Sequence, residues 1–219
     1  KKMLNEYIDN NIDFSFNKPF SAIIGSNPSN GARSPKLWNM AFNKFDSDIR
    51  MFPLDVSERN LEKVMMLLIK NFNFIGGAVA VPYKEKISSI IDKSDYSTLS
   101  SESKSIGAVN ALYRENNKLI GTNTDGEAGL KSLIYNFGDI KGKNILILGL
   151  GGAGKAIATY VSSQIEHGKL YVSARNKSKL GNFISKINAH YLTWPLKDLD
   201  YTKIDIIINC TILGSRAKT

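Results

Sequence analysis

Four glycines within six residues, at positions 149, 151, 152 and 154, follow directly on the apolar run Ile145-Leu146-Ile147-Leu148. A continuous apolar run of that kind suits a strand buried on both faces of a parallel sheet. Beyond the glycines, Ala153, Ala156, Ile157, Ala158, Tyr160 and Val161 recur at helical spacing. The stretch therefore reads as strand, tight turn, helix. Gly149, Gly151 and Gly154 fit the GxGxxG dinucleotide fingerprint in the context it needs. Gly149 makes the sharp turn, Gly151 lets backbone approach a pyrophosphate, and Gly154 lets helix and strand pack closely. The helix N-terminus then offers free N–H groups and a positive dipole end to the phosphates.

Two other readings compete. Gly149, four residues, then Gly154-Lys155 nearly completes a Walker A loop, but the next residue is Ala156. Without a Ser or Thr hydroxyl the magnesium ligand is missing, so the dinucleotide reading is preferred. An ordinary glycine-rich turn is the other. Four glycines carry a backbone-entropy cost that a purely structural turn does not require.

The chain has 219 residues, enough for two domains of ordinary size. At 42% hydrophobic and 22% charged its composition is globular. No apolar run approaches the roughly 20 residues of a membrane span, and the first residues hold no signal-peptide core. Cys210 is the single cysteine, which excludes an intrachain disulfide and a cysteine-based zinc site. His167 and His190 do not make a metal cluster, so no metal is expected. The expected setting is the cytoplasm, with no membrane partner. A net charge of +9 raises nucleic-acid binding, but the 29 basic residues are scattered without a block of like charge. Attraction of anionic small molecules is the more economical use of that charge, and no nucleic-acid partner is expected. The chain stops at Ser215-Arg216-Ala217-Lys218-Thr219, soon after an apolar strand, and we expect C-terminal sequence to be missing.

Along the chain, residues 1–19 read as a polar lead-in with an amphipathic turn or two. Phe20–Gly25 is the first strand and Ser26–Gly31 a loop rich in Asn, Pro, Ser and Gly. Ser34 as N-cap and Pro35 at the first helical position start a helix to about Phe45. Arg50–Leu54 is a strand. Leu61–Ile69 is a helix burying Leu61, Val64, Met65, Leu68 and Ile69, its methionines core filler. Gly76–Val81 is the third strand, and Pro82 opens a helix. Ile106–Tyr113 and Lys118–Gly121 form a hairpin across Glu115-Asn116-Asn117. Asn123-Thr124-Asp125-Gly126 caps a helix to about Phe137. Later come strand Lys169–Ser173, helix Lys177–Ile187, a short strand at Tyr191-Leu192 and a buried strand at Ile204–Asn209. Alternating strands and helices argue an α/β fold throughout. The domain boundary is expected near residues 126–130.

Three positions carry chemistry. Lys84 lies in the first turn of a helix just past a buried strand, at the carboxyl end where open α/β sheets bind ligands. A cation there opposes the helix dipole, which also favours the neutral amine that a proton-transferring lysine needs. The bland alternative is one surface lysine among many. Asp125 sits at another strand-to-helix junction. Asn123 and Thr124 are competent caps for that helix, which leaves Asp125 to pair with a lysine. Asn110 follows the small-residue run Gly107-Ala108-Val109, which lets a ligand approach.

Val81-Pro82-Tyr83-Lys84-Glu85, Gly107-Ala108-Val109-Asn110, Asn123-Thr124-Asp125-Gly126 and Gly149-Leu150-Gly151-Gly152-Ala153-Gly154 occur in an order and spacing that resembles the shikimate dehydrogenase family. Asn209-Cys210-Thr211 is similar to that family's strand end near the nicotinamide. The resemblance runs from about residue 20 to the end. It implies an N-terminal α/β substrate domain, 1–127, and a C-terminal Rossmann-type dinucleotide-binding domain, 128–219. It implies Lys84 and Asp125 as the catalytic pair, with Ser34, Asn110 and Asp125 binding substrate. Gly149, Gly151, Gly152, Ala153, Arg175, Asn176 and Thr211 would bind NADP. The activity implied is hydride transfer between NADPH and 3-dehydroshikimate, giving shikimate for aromatic amino acid biosynthesis, in a monomer or homodimer.

The sequence departs from the family pattern at three points. A second carboxylate-binding serine is replaced by Ala32, and the usual Asn and Thr before the Val-Pro pair by Ala78 and Ala80. At about 1 kcal/mol each, three lost polar contacts weaken shikimate binding by about two orders of magnitude. A quinate-like dehydrogenase, or a dinucleotide-binding protein without catalysis, stays open on that ground. A C-terminal return to the first domain, with a substrate-binding glutamine, is expected to lie in the missing sequence. Past the strand Leu170-Tyr171-Val172-Ser173, where NAD-selective folds place a carboxylate, stand Ala174-Arg175-Asn176-Lys177-Ser178-Lys179. Arg175, with Lys177 and Lys179 behind it, suits a 2′-phosphate and stacks on adenine, so NADP is expected over NAD.

Overall fold

The computed structural model describes residues 4–13, 16–197 and 199–214, with the side chain of Lys179 outside that description. The lead-in residues 1–3, 14 and 15, and the closing Ser215–Thr219, therefore lie outside the described residues. The chain divides into two compact units, Lys1–Asn123 and Thr124–Thr219. Each has its own apolar core. Among the described residues no helix is long and apolar enough to cross a membrane.

The first unit comprises β1 (Phe20–Gly25), α1 (Ser34–Lys44), β2 (Arg50–Asp55), α2 (Leu61–Lys70), β3 (Phe74–Val79), α3 (Lys84–Asp92), β4 (Ser97–Leu99), α4 (Ser101–Ile106), β5 (Ala111–Glu115) and β6 (Lys118–Thr122). Its sheet runs in the order β2-β1-β3-β5-β6-β4. β5 is antiparallel to both β3 and β6, and the other pairs are parallel. One edge of the sheet thus gathers the carboxyl ends of β1, β2, β3, β6 and β4 with the start of β5. β1 is buried along its whole length, and α2 buries the five residues its period selects.

Several boundaries differ from the sequence reading. The lead-in's apolar residues Leu4, Ile8 and Ile12 join the core, in keeping with its amphipathic reading. Ser34 is the first helical residue of α1 rather than its cap. Arg33 takes the cap position, and its carbonyl accepts the Leu37 N–H at 3.1 Å, which moves the helix start back by one. No residue of α1 is buried, and Leu37, Trp38 and Met40 are exposed. The Asn39 amide holds α1 to β2 instead, donating to Met51 O at 3.0 Å and accepting from Met51 N at 2.7 Å.

β3 begins at Phe74, not Gly76, because Phe74 is fully buried and pairs with Phe20. Gly76 and Gly77 fall inside the strand at φ 131° and 153°. Side chains there would overlap the carbonyls of Leu112 and Ala22 on the flanking strands. Ala80 and Val81 lie past the strand end. The stretch from Ile106 to Asn110 is not strand either. Ser100 caps α4, accepting the Ser103 N–H at 3.3 Å, and Gly107 ends it at φ 73°. The hairpin turn is Asn116-Asn117, both at positive φ, with Glu115 still paired to Lys118.

The second unit comprises α5 (Asp125–Phe137), β7 (Ile145–Leu148), α6 (Gly152–Ser162), β8 (Leu170–Ser173), α7 (Phe183–Lys186), β9 (His190–Tyr191) and β10 (Ile206–Asn209). Its four strands are parallel in the order β10-β7-β8-β9. Thr124 holds the N-cap of α5 without a side-chain cap bond. The helix expected over 177–187 is broken. A 3₁₀ turn, Lys177–Leu180, meets Gly181 at φ 50°, which a right-handed helix does not continue through, and α7 resumes for four residues. The short strand lies one residue earlier than read, and β10 starts at Ile206. Asp205 there accepts the Asn144 N–H at 2.7 Å. Trp194, in the loop after β9, is 45% exposed.

Candidate functional site

In the first unit, Ser34, Lys84 and Asn110 all stand at the sheet edge that collects the carboxyl ends. Lys84 is the first residue of α3, half-buried. Its carbonyl accepts the Val109 N–H at 2.9 Å. Asn110, the next residue, donates its N–H to Thr122 O at 3.0 Å and accepts from Val79 N at 2.8 Å. Backbone bonds thus tie the lysine turn, the end of β3, the start of β5 and the end of β6 into one ladder. Asn123 is not a helix cap: it is 3% exposed and donates its side-chain amide to Ala108 O at 3.1 Å. Two of the sequence motifs are thereby bonded to each other. Ala78 and Ala80 are half-buried at the same edge, and the Ala80 N–H goes to Ile24 O at 2.8 Å.

Tyr83, directly before Lys84, is 2% exposed and donates its hydroxyl to Val56 O at 2.7 Å. Burial first, then the Glu58 charge, pushes the phenol above its ordinary range, so it stays a protonated donor at neutral pH. Glu58 pairs with Lys86, one turn into the same helix. The loop from Ser26 to Arg33 closes on itself through Ala32 N to Pro28 O at 3.1 Å. It is tied to the end of β2 by Ser29, whose N–H and hydroxyl both donate to the Asp55 carboxylate. Sequence reading gave no role to Ser29, Asp55 or Tyr83, because each acts through a partner distant in sequence. Asp125 opens α5 in the second unit.

The second unit builds its turn from backbone. Gly149 sits at φ 86°, and its N–H donates to Ser173 O at 2.8 Å. A Cβ on Gly154 would overlap the Gly149 carbonyl, whereas one on Gly151 would enter open space. Gly149 and Gly154 are therefore structural, and Gly151 leaves room for a ligand. Gly152 and Ala153 open the first turn of α6, whose leading N–H groups have no acceptor within the helix. β7 lies between β8 and β10, the point where strand order reverses and open sheets bind ligands. Beside it, Thr211 is fixed by Asn209, whose Oδ1 accepts the Thr211 N–H at 2.9 Å and hydroxyl at 2.7 Å. Burial pushes the Cys210 thiol up, which makes it a poor nucleophile next to that turn. Arg175 and Asn176 are exposed past the end of β8. The Tyr191 hydroxyl supports that corner by donating to Ala174 O at 2.7 Å, and Lys177 lies 5.0 Å over the Tyr191 ring. The open face at Gly151, the free helix N-terminus and an exposed arginine one strand over fit a phosphorylated dinucleotide. Among the described residues no cluster of His, Cys, Asp or Glu could hold a metal ion.

Residues 23–112 match the family model described as the shikimate dehydrogenase substrate binding domain. A curated shikimate dehydrogenase (NADP(+)) from Methanococcus maripaludis is 34% identical over 197 residues, covering 88% of this chain and 67% of that protein. Another, from Carboxydothermus hydrogenoformans, is 39% identical over 138 residues, covering 63% of this chain and 47% of that protein. A crystal structure of shikimate dehydrogenase 1 from Peptoclostridium difficile superposes with a TM-score of 0.74 at 33% identity, covering 91% of this chain and 70% of that one.

Proposed function

The chain belongs to the shikimate dehydrogenase family, and from that membership we propose that it interconverts 3-dehydroshikimate and shikimate with NADP(H). The observation that carries this reading is the backbone ladder joining Lys84 to Asn110 through Val109 and Val79. It fixes a cation and an amide at the edge where a ring ketone would enter, and it survives whatever the alanines nearby do. Lys84 gives its Nζ proton to the carbonyl oxygen as that oxygen becomes a hydroxyl, and takes it back in the reverse direction. Asp125 is carried over from the family motif Asn123-Thr124-Asp125-Gly126 as the second member of the catalytic pair. Asn110 binds a ring hydroxyl, and Ser34 binds the substrate carboxylate. Bound NADPH supplies the hydride for the carbonyl carbon. Gly149, Gly151, Gly152 and Ala153 hold its pyrophosphate by backbone N–H groups, Arg175 and Asn176 its 2′-phosphate end, and Thr211 its nicotinamide end. The protein acts in the cytoplasm as a monomer or homodimer, with no nucleic-acid or membrane partner.

A second reading rests on Ala32, Ala78 and Ala80, which leave that edge with three methyls where the family has polar groups. It is a related cyclic hydroxy acid as the preferred substrate. Steady-state rates with 3-dehydroshikimate, shikimate and quinate, each with NADP(H) and NAD(H), test both. We expect turnover of the shikimate pair with NADP(H), and Lys84→Ala to cut kcat by about 100-fold or more without changing NADPH affinity. Near-normal turnover in Lys84→Ala would remove the lysine from the mechanism. Faster turnover of quinate would favour the second reading.

A further inference from the structure

Asp55 ends β2 and is 7% exposed. Both of its carboxylate oxygens go to one residue of the exposed loop after β1: Oδ1 accepts the Ser29 N–H at 2.8 Å and Oδ2 the Ser29 hydroxyl. Its own backbone is held in turn, the N–H by Asn10 Oδ1 at 2.9 Å and the carbonyl by the Asp9 N–H at 2.7 Å. Val56, the next residue, donates to Gly25 O at 2.9 Å and accepts the Tyr83 hydroxyl at 2.7 Å. Glu58 completes the segment through Lys86. Three of the four positions 55–58, namely Asp55, Val56 and Glu58, therefore grip two elements far apart in sequence. One is the loop that leads into Ser34, and the other is the helix start that carries Lys84.

Burying a carboxylate is costly unless hydrogen bonds compensate it, and a loop needing no fixed shape would be closed as well by a neutral side chain. From this geometry we infer that Asp55 is a positioning residue. Through Ser29 it sets the conformation of the Ser26–Arg33 loop, and the segment it begins sets, through Tyr83, the distance from that loop to Lys84. The inference rests on the reading of Ser34 and Lys84 as substrate groups. It assigns to the β2 end a part in substrate affinity that no side chain there performs by contact.

Ser29→Ala removes the hydroxyl bond from an exposed residue and keeps the N–H bond, so the fold is retained. We expect it to raise the KM for 3-dehydroshikimate about 5- to 10-fold, the size of one ordinary net hydrogen bond at an exposed site, with kcat and the KM for NADPH little changed. Ser29→Thr, which keeps the hydroxyl, should recover most of the loss. Asp55→Asn should fall between wild type and Asp55→Ala. Hydrogen exchange of the amides in 26–33 gives a readout without turnover, and Ser29→Ala should speed it in the ligand-free protein. An unchanged substrate KM in Ser29→Ala overturns the inference. So does a KM rise that Ser29→Thr fails to reverse, or loop exchange at the wild-type rate. Wild-type protein inactive on 3-dehydroshikimate, with faster loop exchange in Ser29→Ala, would overturn the substrate reading while upholding the clamp.

Discussion

The two units each present a strand-to-helix loop at the carboxyl edge of a sheet, and the two loops are made by opposite means. The turn after β7 is backbone: Gly149 at positive φ, Gly154 pressed on the Gly149 carbonyl, Gly151 open to a ligand. The loop after β1 is held by side chains, above all the Asp55 carboxylate on Ser29. A backbone-built site recognises what every dinucleotide shares, a pyrophosphate, and tolerates glycine alone at its tight points. A side-chain-built site recognises one substrate and can be retuned by single substitutions. Ala32, Ala78 and Ala80 are the positions at which such retuning is proposed.

That contrast can be broken most forcefully at the glycines. Gly154→Ala should destabilise the second unit by up to about 3 kcal/mol, because its methyl has no room against the Gly149 carbonyl. Gly151→Ala should leave stability within about 0.5 kcal/mol and weaken NADPH binding instead, since its methyl enters the ligand's space. Thermal unfolding and calorimetric titration of both variants decide the matter. Equal stability losses would mean the turn is not divided between a structural and a ligand-facing glycine.

A smaller effect sharpens the comparison at a charged side chain of the second unit. Arg175→Ala should erode the preference for NADP over NAD by about 1.5–3 kcal/mol, the usual size of a hydrogen bond to a charged group. Titration with each cofactor measures it, and an unchanged ratio removes Arg175 from the site. The smallest expected change belongs to the first unit. Ala32→Ser together with Ala80→Thr should lower the KM for shikimate by about 1 kcal/mol per restored contact. A wild-type KM already in the low micromolar range would show that the methyls cost no affinity.

What the sequence disclosed follows the same division. The glycine turn, the helix behind it and the buried face of α2 were legible, because each is set by neighbours within one or two turns. β1 was legible for its unbroken apolar run. The sequence reading started β3 at Gly76, two residues late, and took Gly76 and Gly77 as ordinary strand residues. They are instead the points where β1 and β5 come too close for a side chain. The helix α4 was hidden in a serine-rich run whose cap, Ser100, and stop, Gly107, flank only six residues. The break at Gly181 was missed for the opposite reason, since apolar spacing continues on both sides of it. Lys84 and Asp125 were found as candidates by position at strand ends and Asn110 by the small residues before it, but the Asp55–Ser29 and Val56–Tyr83 bonds join residues 26 and 27 positions apart. No local period encodes such pairs.

The exposed helix α1 has a practical consequence of an optical kind. The chain holds two tryptophans, one in each unit. Trp38 lies one helical turn beyond Ser34 and is 55% exposed, and Trp194 is 45% exposed in the other unit. Partly solvated indoles respond to small changes in their surroundings, so emission from this protein contains two separable local signals. Replacing Trp194 by Phe leaves a single fluorophore beside the loop that Asp55 holds. Replacing Trp38 leaves one that reports on the dinucleotide unit. The order in which the two ligands arrive then becomes a matter of which colour changes first.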